Sequence, residues 1–274
     1  DMETLMQLVY LRFEQPRFDL EAHDVMMRRN YDAIVNAANN PSKTVSDSLR
    51  MILSDYNPRT MIFDKEYLDR IRIEDIEMVY RDRIRDVSDF TFFIVGDIDA
   101  GTVKPMVEKY IGSIQSYCRK ESYNRKAATH RPDGLTERII PIPWETPKTT
   151  AYVSVENDRI KYTARHNIYM SILSKILDAR YLKTIREGEG GTYGVSVRPS
   201  SSMTPYDSYT MTMMFDSDPD KAPRLKSLIY SELEDLIANG PTGEELAPVL
   251  TALKKDLTQG KLEAGYWMGV IANY

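Results

Sequence analysis

The sequence predicts an α+β protein built of two similar units, and three observations lead there. A chain of 274 residues has room for one large domain or two of ordinary size. A β-rich run, an acidic turn and an amphipathic helix occur in that order twice. Phe90–Val95 is followed by Asp97-Ile-Asp99 and a helical pattern, and Tyr209–Phe215 by Asp216-Ser-Asp218 and another. This echo favours two units of the same construction over one mixed domain. Between them the chain turns polar over residues 118–135, with Lys, Arg, Asn and Ser and a Pro132-Asp-Gly134 turn, the composition of a linker. The expected organisation is therefore the rear part of one unit over 1–117, a linker over 118–135, and most of a second unit over 136–274.

The elements are set by local chemistry. Leu5, Leu8, Val9 and Leu11 recur at helical spacing over residues 3–15, and Pro16 stops that helix. Asp19 has the right side chain to accept from the free N–H groups of the next helix, which carries Val25, Met26, Ile34 and Val35. A third helix starts near Pro41 and is broken by Asn57-Pro58, and residues 73–80 form another amphipathic pattern. Phe90-Thr-Phe-Phe-Ile-Val95 is continuous and apolar enough to lie inside a sheet. A helix comes next, from about Ala100 to Tyr110. Past the linker, residues 138–143 and 149–155 are predicted strands, then a long helix over 164–186. Strands over 193–198 and 208–215 come next, and helices over 219–238 and 242–265 close the chain. The chain begins at Asp1 and its first residues already have a mid-helix pattern, so it is expected to be a segment cut at both ends from a longer protein.

Composition removes several function classes. At 42% hydrophobic and 28% charged residues, the chain has the make-up of a soluble globular protein. A net charge of −5 and the lack of a basic stretch interleaved with aromatics argue against nucleic acid as a partner. No apolar run approaches the roughly 20 residues that span a bilayer. A lone Cys118 cannot make an intrachain disulfide.

Most candidate sites reduce to plainer readings. His23, His130 and His166 are scattered, and a helical zinc site needs two imidazoles one turn apart, so no metal motif is present. The turns at Asp97–Asp99 and Asp216–Asp218 lack the ligand count and central glycine of a calcium loop; Asp99 and Asp218 are better read as caps of the helices after them. Ser200-Ser-Ser202 has no nucleophile elbow, and Cys118 has no histidine near it in sequence. The glycines of Gly188-Glu-Gly-Gly-Thr-Tyr-Gly194 match a dinucleotide fingerprint in outline, but the order is helix then strand, the reverse of what a phosphate needs. Gly190, Gly191 and Gly194 instead permit a tight turn and a close backbone approach.

That turn is the most informative stretch of the chain. Arg186 ends a helix and Tyr193 opens a strand, seven residues apart. A guanidinium fork and a phenol converging across such a turn can both donate to one carbonyl oxygen, which is what a developing oxyanion needs. The plainer reading is an arginine placed by the helix dipole and a tyrosine placed by packing.

Four segments, in the same order, resemble the insulinase/pitrilysin family of zinc metallopeptidases. They are Leu8-Val-Tyr-Leu-Arg-Phe-Glu-Gln-Pro-Arg-Phe-Asp19, then Phe90-Thr-Phe-Phe-Ile-Val-Gly-Asp-Ile-Asp99 with Val107-Glu-Lys-Tyr-Ile-Gly112. Ile185-Arg-Glu-Gly-Glu-Gly-Gly-Thr-Tyr-Gly-Val195 and Ala238-Asn-Gly-Pro-Thr-Gly-Glu-Glu-Leu246 complete the set. The resemblance implies repeated α+β units, each a mostly antiparallel sheet packed with helices, arranged as two halves around a chamber. In that family an inverted His-x-x-Glu-His motif in one half binds zinc, and this chain has none. It therefore resembles the second, non-zinc half, whose Arg and Tyr contact the substrate backbone near the metal; the role carries over to Arg186 and Tyr193. The implied protein is a zinc endopeptidase acting on peptides or small unfolded proteins. Its zinc would be bound by the other half, in the same chain or a partner subunit, and this segment alone would be inactive. Some relatives are structural or assembly subunits, and that is the alternative. The resemblance leaves the compartment open between bacterial periplasm and cytoplasm.

Overall fold

A computed structural model of the chain describes all residues except 38–39, 123, 125–126, 144, 190–193 and 273–274. By internal contacts the chain divides into Asp1–Ile142 with Glu263–Tyr274, and Pro143–Leu262.

The first unit is helical among the described residues. It comprises α1 (Met2–Glu14), α2 (Leu20–Ala37), α3 (Pro41–Leu53), the short α4 (Lys65–Leu68), α5 (Ile73–Ile84) and α6 (Ala100–Met106). Most of its helix starts are set by side-chain caps, α5 being without one. The Asp19 carboxylate accepts from the Ala22 N–H at 2.9 Å, Asn40 caps α3 with Pro41 at the first position, and Asp99 accepts from the Thr102 N–H at 2.7 Å. Helix α6 runs on as a π-helical turn over Val107–Ile111, where the Tyr110 hydroxyl donates to Glu3 of α1 at 2.7 Å.

The apolar run Phe90–Val95 is not a strand, contrary to expectation. A strand exists only where a neighbour completes its ladder, and no described segment pairs with it. Its aromatic side chains find a helix instead: Phe13 of α1 meets Phe90 at 5.1 Å, edge to face, and Phe92 at 5.9 Å. Residues 138–143 also form no strand. Pro141 and Pro143 remove two ladder donors, and Ile139 is 89% exposed. The start of the polar stretch is held to this unit. The N–H groups of Tyr117 and Arg119 donate to Asp86 at 3.0 and 2.9 Å, and that of Glu121 to Asp89. Against the upward push of lost solvent, the Tyr117, Ser88 and Arg119 N–H groups and the Ser88 hydroxyl hold the Asp86 carboxyl well below the usual carboxylate range.

The second unit supplies the sheet and bears out the α+β class. Strand β1 (Thr149–Asn157) and β2 (Ser196–Ser202) flank β3 (Ser208–Ser217), all antiparallel, in the order β1-β3-β2. Register places Val153 opposite Met213 on one side, and Val197 opposite Met213 on the other. Alternation along β3 sends Tyr209, Met211, Met213 and Phe215 to one face, where Met213 is wholly buried. Helices α7 (Ala164–Tyr181), α8 (Ala222–Asn239) and α9 (Gly243–Gly260) complete the core through Ile176, Leu177, Leu225, Ile229, Leu246 and Val249. Gly240, at φ +70°, stops α8 in a conformation other residues resist. The predicted last helix is two: α9 ends at Gly260, and α10 (Ala264–Ala272) belongs to the first unit. Asp218 does not cap α8 with its side chain. The helix starts at Ala222 without a side-chain cap, and Asp218 contributes its carbonyl, which accepts from the Lys221 and Ala222 N–H groups.

Candidate functional site

The site is built on the C-terminal end of α7 and the π-helical segment that continues it. Thr163 starts the helix by accepting from the His166 N–H at 3.1 Å. Ser174, Leu177, Tyr181 and Ile185 then fall on one buried stripe, three or four residues apart. Past Tyr181 the helix widens to π geometry over Leu182–Glu189, a form that recurs at functional sites. The Thr184 hydroxyl donates to the Arg180 carbonyl at 2.9 Å within this segment. Tyr181 and Ile185 have no exposed surface, and the Tyr181 hydroxyl donates to the Ile229 carbonyl of α8 at 3.3 Å. Burial pushes the Tyr181 phenol above its ordinary range. One residue beyond the buried Ile185, Arg186 is exposed. The segment thus buries Ile185 and exposes Arg186.

Two polar ties brace this base. The Asp178 carboxylate accepts from the Val197 N–H at 3.1 Å and so joins α7 to β2. Burial pushes the Asp178 carboxyl up, with the Val197 N–H working against that shift. Arg180 lays its fork across the start of α9. Its Nε and Nη2 donate to the two Glu245 oxygens at 2.6 and 3.1 Å, and Nη1 to Asp235 of α8 at 2.7 Å. Glu245 is also half of a capping box with Thr242. The Arg180 guanidinium, then the Thr242 N–H, hold the Glu245 carboxyl down at about 2, and the same carboxylate raises the arginine further above its ordinary range.

Of the residues expected at this site, Arg186 lies on the π segment and is exposed. Gly194 takes φ +156°, which side chains rarely adopt. Tyr193, Gly190 and Gly191 lie outside the described residues, so the approach of the phenol to the guanidinium does too. Asp178 and Arg180 are additions that sequence reasoning missed. Glu245 did carry a local signal, the Thr242-Gly-Glu-Glu245 capping pattern, but nothing in it names Arg180 as partner. Among the described residues no group of three or more His, Cys, Asp or Glu could hold a metal. No helix among those residues is long and apolar enough to cross a membrane.

A family model described as the Peptidase M16 inactive domain matches residues 70–253, more than half of the chain. The chain belongs to the M16 peptidase family. This bears out the resemblance to the insulinase/pitrilysin peptidases and places the chain with their inactive domain. It is 25% identical over 250 residues to a probable zinc protease, PqqL, of Haemophilus influenzae, covering 88% of this chain and 25% of that protein. It is 23% identical over 288 residues to a PQQL-like zinc protease of Arabidopsis thaliana, covering 98% and 29%. The fold is shared with the periplasmic protease PqqL of Escherichia coli at a TM-score of 0.85 and 16% identity, over 99% of this chain and 30% of that one. The M16 chain thus spans between a quarter and a third of the length of these relatives.

Proposed function

We propose that this chain is the substrate-binding, non-zinc half of a zinc-dependent endopeptidase that cleaves peptides or small unfolded proteins in an enclosed chamber. The metal belongs to the other half, carried by the same polypeptide or by a partner subunit. Here the Arg186 guanidinium and the Tyr193 phenol donate to the scissile carbonyl oxygen, orienting it and stabilising the charge that develops there. Each such donor contributes ~3 kcal/mol to transition-state stabilisation. The observation that carries the reading is the placement of Arg186: exposed, one residue past the fully buried Ile185, on a braced π segment of an M16 inactive domain. A site that must stop a carbonyl oxygen from drifting needs its donors on a base that does not move.

The test is peptide hydrolysis by the complete parent protein, comparing wild type with Tyr193→Phe at matched zinc content. Loss of the phenolic donor should lower kcat roughly 100-fold, about 2.7 kcal/mol. Unchanged kinetics would return Tyr193 to packing. A wild type that holds no zinc and cleaves nothing would make the protein an assembly subunit of the same fold.

A further inference from the structure

We infer that Phe90–Val95 is a docking strand, an extended apolar segment whose open backbone edge is completed by a β-strand from elsewhere in the parent polypeptide. This surface lies in the first unit and is independent of the reading of Arg186 and Tyr193.

The segment already has the geometry of a strand. The Phe90 and Phe92 rings are 6.4 Å apart and within 28° of parallel, close to the ~6.7 Å that two residues of extended chain span on one face. Phe13 of α1 meets both of them. Thr91 and Phe93 alternate with these two and are exposed, Phe93 at 40%. Among the described residues, neither an N–H nor a carbonyl from Thr91 to Val95 is engaged in a hydrogen bond. Phe92, Ile94 and Val95 are half-buried, so this backbone is only partly open to water. Backbone groups left in that position are costly, and a row of them is a template for pairing. A helix laid over Phe93 would cover its ring but leave the N–H and carbonyl groups unmet. A strand meets both needs, and the aromatic and β-branched residues of the run suit one.

The flanking charges and the size of the edge select the occupant. Asp89 precedes the run, and Asp97 and Asp99 follow it. A second copy paired antiparallel about the middle of the run would bring Asp89 of one beside Asp97 of the other. Parallel pairing in register would set each acid beside its own copy, so both arrangements juxtapose like charges. Acids at the two ends of an apolar run are a device against self-association. A separate protein is disfavoured by area. Six residues of ladder cover far less than the ~800 Å² per partner of a stable interface, and a two-stranded ribbon alone is marginal. A strand on the same polypeptide needs no such area, because the connecting chain holds it at high effective concentration. The chain spans between a quarter and a third of the length of the relatives it matches, and a parent of that size has further segments to supply the strand.

The test uses the full-length parent protein carrying photoreactive p-benzoylphenylalanine in place of Thr91 or of Phe93. After illumination, cross-linked peptides are identified by mass spectrometry, with mixed-isotope protein separating links within one copy from links between two. Both positions should link within one polypeptide to a single segment outside residues 1–274, at sites about two residues apart, as same-face neighbours on paired strands do. In the unmodified parent, the amides from Thr91 to Val95 should exchange with deuterium roughly 100-fold or more slower than in an unstructured chain. Links confined to residues 1–274, links to a second copy or to another protein, or links scattered over several segments would each overturn the assignment. Exchange at the unstructured rate overturns it as well. Should both photoreactive variants fail to fold, the wild-type exchange decides. Catalysis enters none of these readouts, so they stand or fall apart from the peptidase reading.

Discussion

Replacing Glu245 with Gln should destabilise the second unit by about 2 kcal/mol near neutral pH, and the loss should fade in acid. The Glu245 carboxylate accepts two bonds from Arg180, at 2.6 and 3.1 Å, and two from Thr242, from its N–H at 2.8 Å and its hydroxyl at 3.1 Å. Together these lower its pKa from the ordinary 4.5 to about 2, the arginine being the largest cause. At 1.36 kcal/mol per unit, that shift corresponds to about 3 kcal/mol of preference for the ionised form in the folded chain. Solvent reaches 25% of the Glu245 side chain, and Gln still offers one acceptor, so about 2 kcal/mol is expected on substitution. The sign is fixed by the direction of the shift. A folded pKa below the unfolded one gives stability that is fully present above about 4.5 and is lost as pH falls toward about 2. Urea unfolding of both proteins, followed by far-ultraviolet circular dichroism near pH 7 and near pH 3, makes the comparison. The gap between them should shrink to less than half at the lower pH, because the unfolded Glu245 carboxyl is then mostly protonated while Gln does not titrate. A gap that stays constant across that range, or one below ~0.5 kcal/mol at neutral pH, would refute the clamp as a source of stability.

Two further substitutions probe the same region. Ile185→Ala removes a side chain with no exposed surface from the main core and should cost about 2–5 kcal/mol, read as a lower urea midpoint. If the proposed function holds, it should also reduce peptide cleavage by the full-length parent protein, since Arg186 is the next residue. Gly240→Ala places a Cβ on a residue at φ +70°, with open space around it, so strain alone should cost about 1 kcal/mol, seen as a drop in Tm without loss of helix content.

Features that depend on near neighbours were legible along the chain. Asp19, Asn40 with Pro41, Asp99 and the Thr242 capping box all start helices where the sequence places them, because a cap joins residues two or three apart. The same logic failed at Asp218, which carries the same acidic pattern as Asp99 but meets a helix that begins four residues later. Strands fared less evenly. β1 and β3 are where the sequence predicted strands, since each has a partner in the second unit. The run Phe90–Val95 is more apolar than either, yet apolarity is satisfied as well by Phe13 as by a sheet. Pairing decides whether such a run is a strand, and pairing is not a local property.

The site divides along the same line. An arginine at a helix end, glycines and a tyrosine form a contiguous pattern, so Arg186 was visible in the sequence as a candidate. The parts that give Arg186 a fixed base were not. Arg180 reaches Glu245 across 65 residues, and Asp178 reaches Val197 across 19. Each of these residues has many chemically suitable partners in a chain with 36 cationic and 41 acidic side chains. Choosing among them requires the packing of α7 against α9 and β2. That packing is dictated by the buried stripe of Leu177, Tyr181 and Ile185, which no single charged residue announces. The candidate Arg186 comes from a local motif, and its base comes from polar contacts that form only after the apolar core has brought distant segments together. A substitution in the brace, such as Glu245→Gln, should therefore disturb the segment that carries Arg186 without removing any group from its exposed surface.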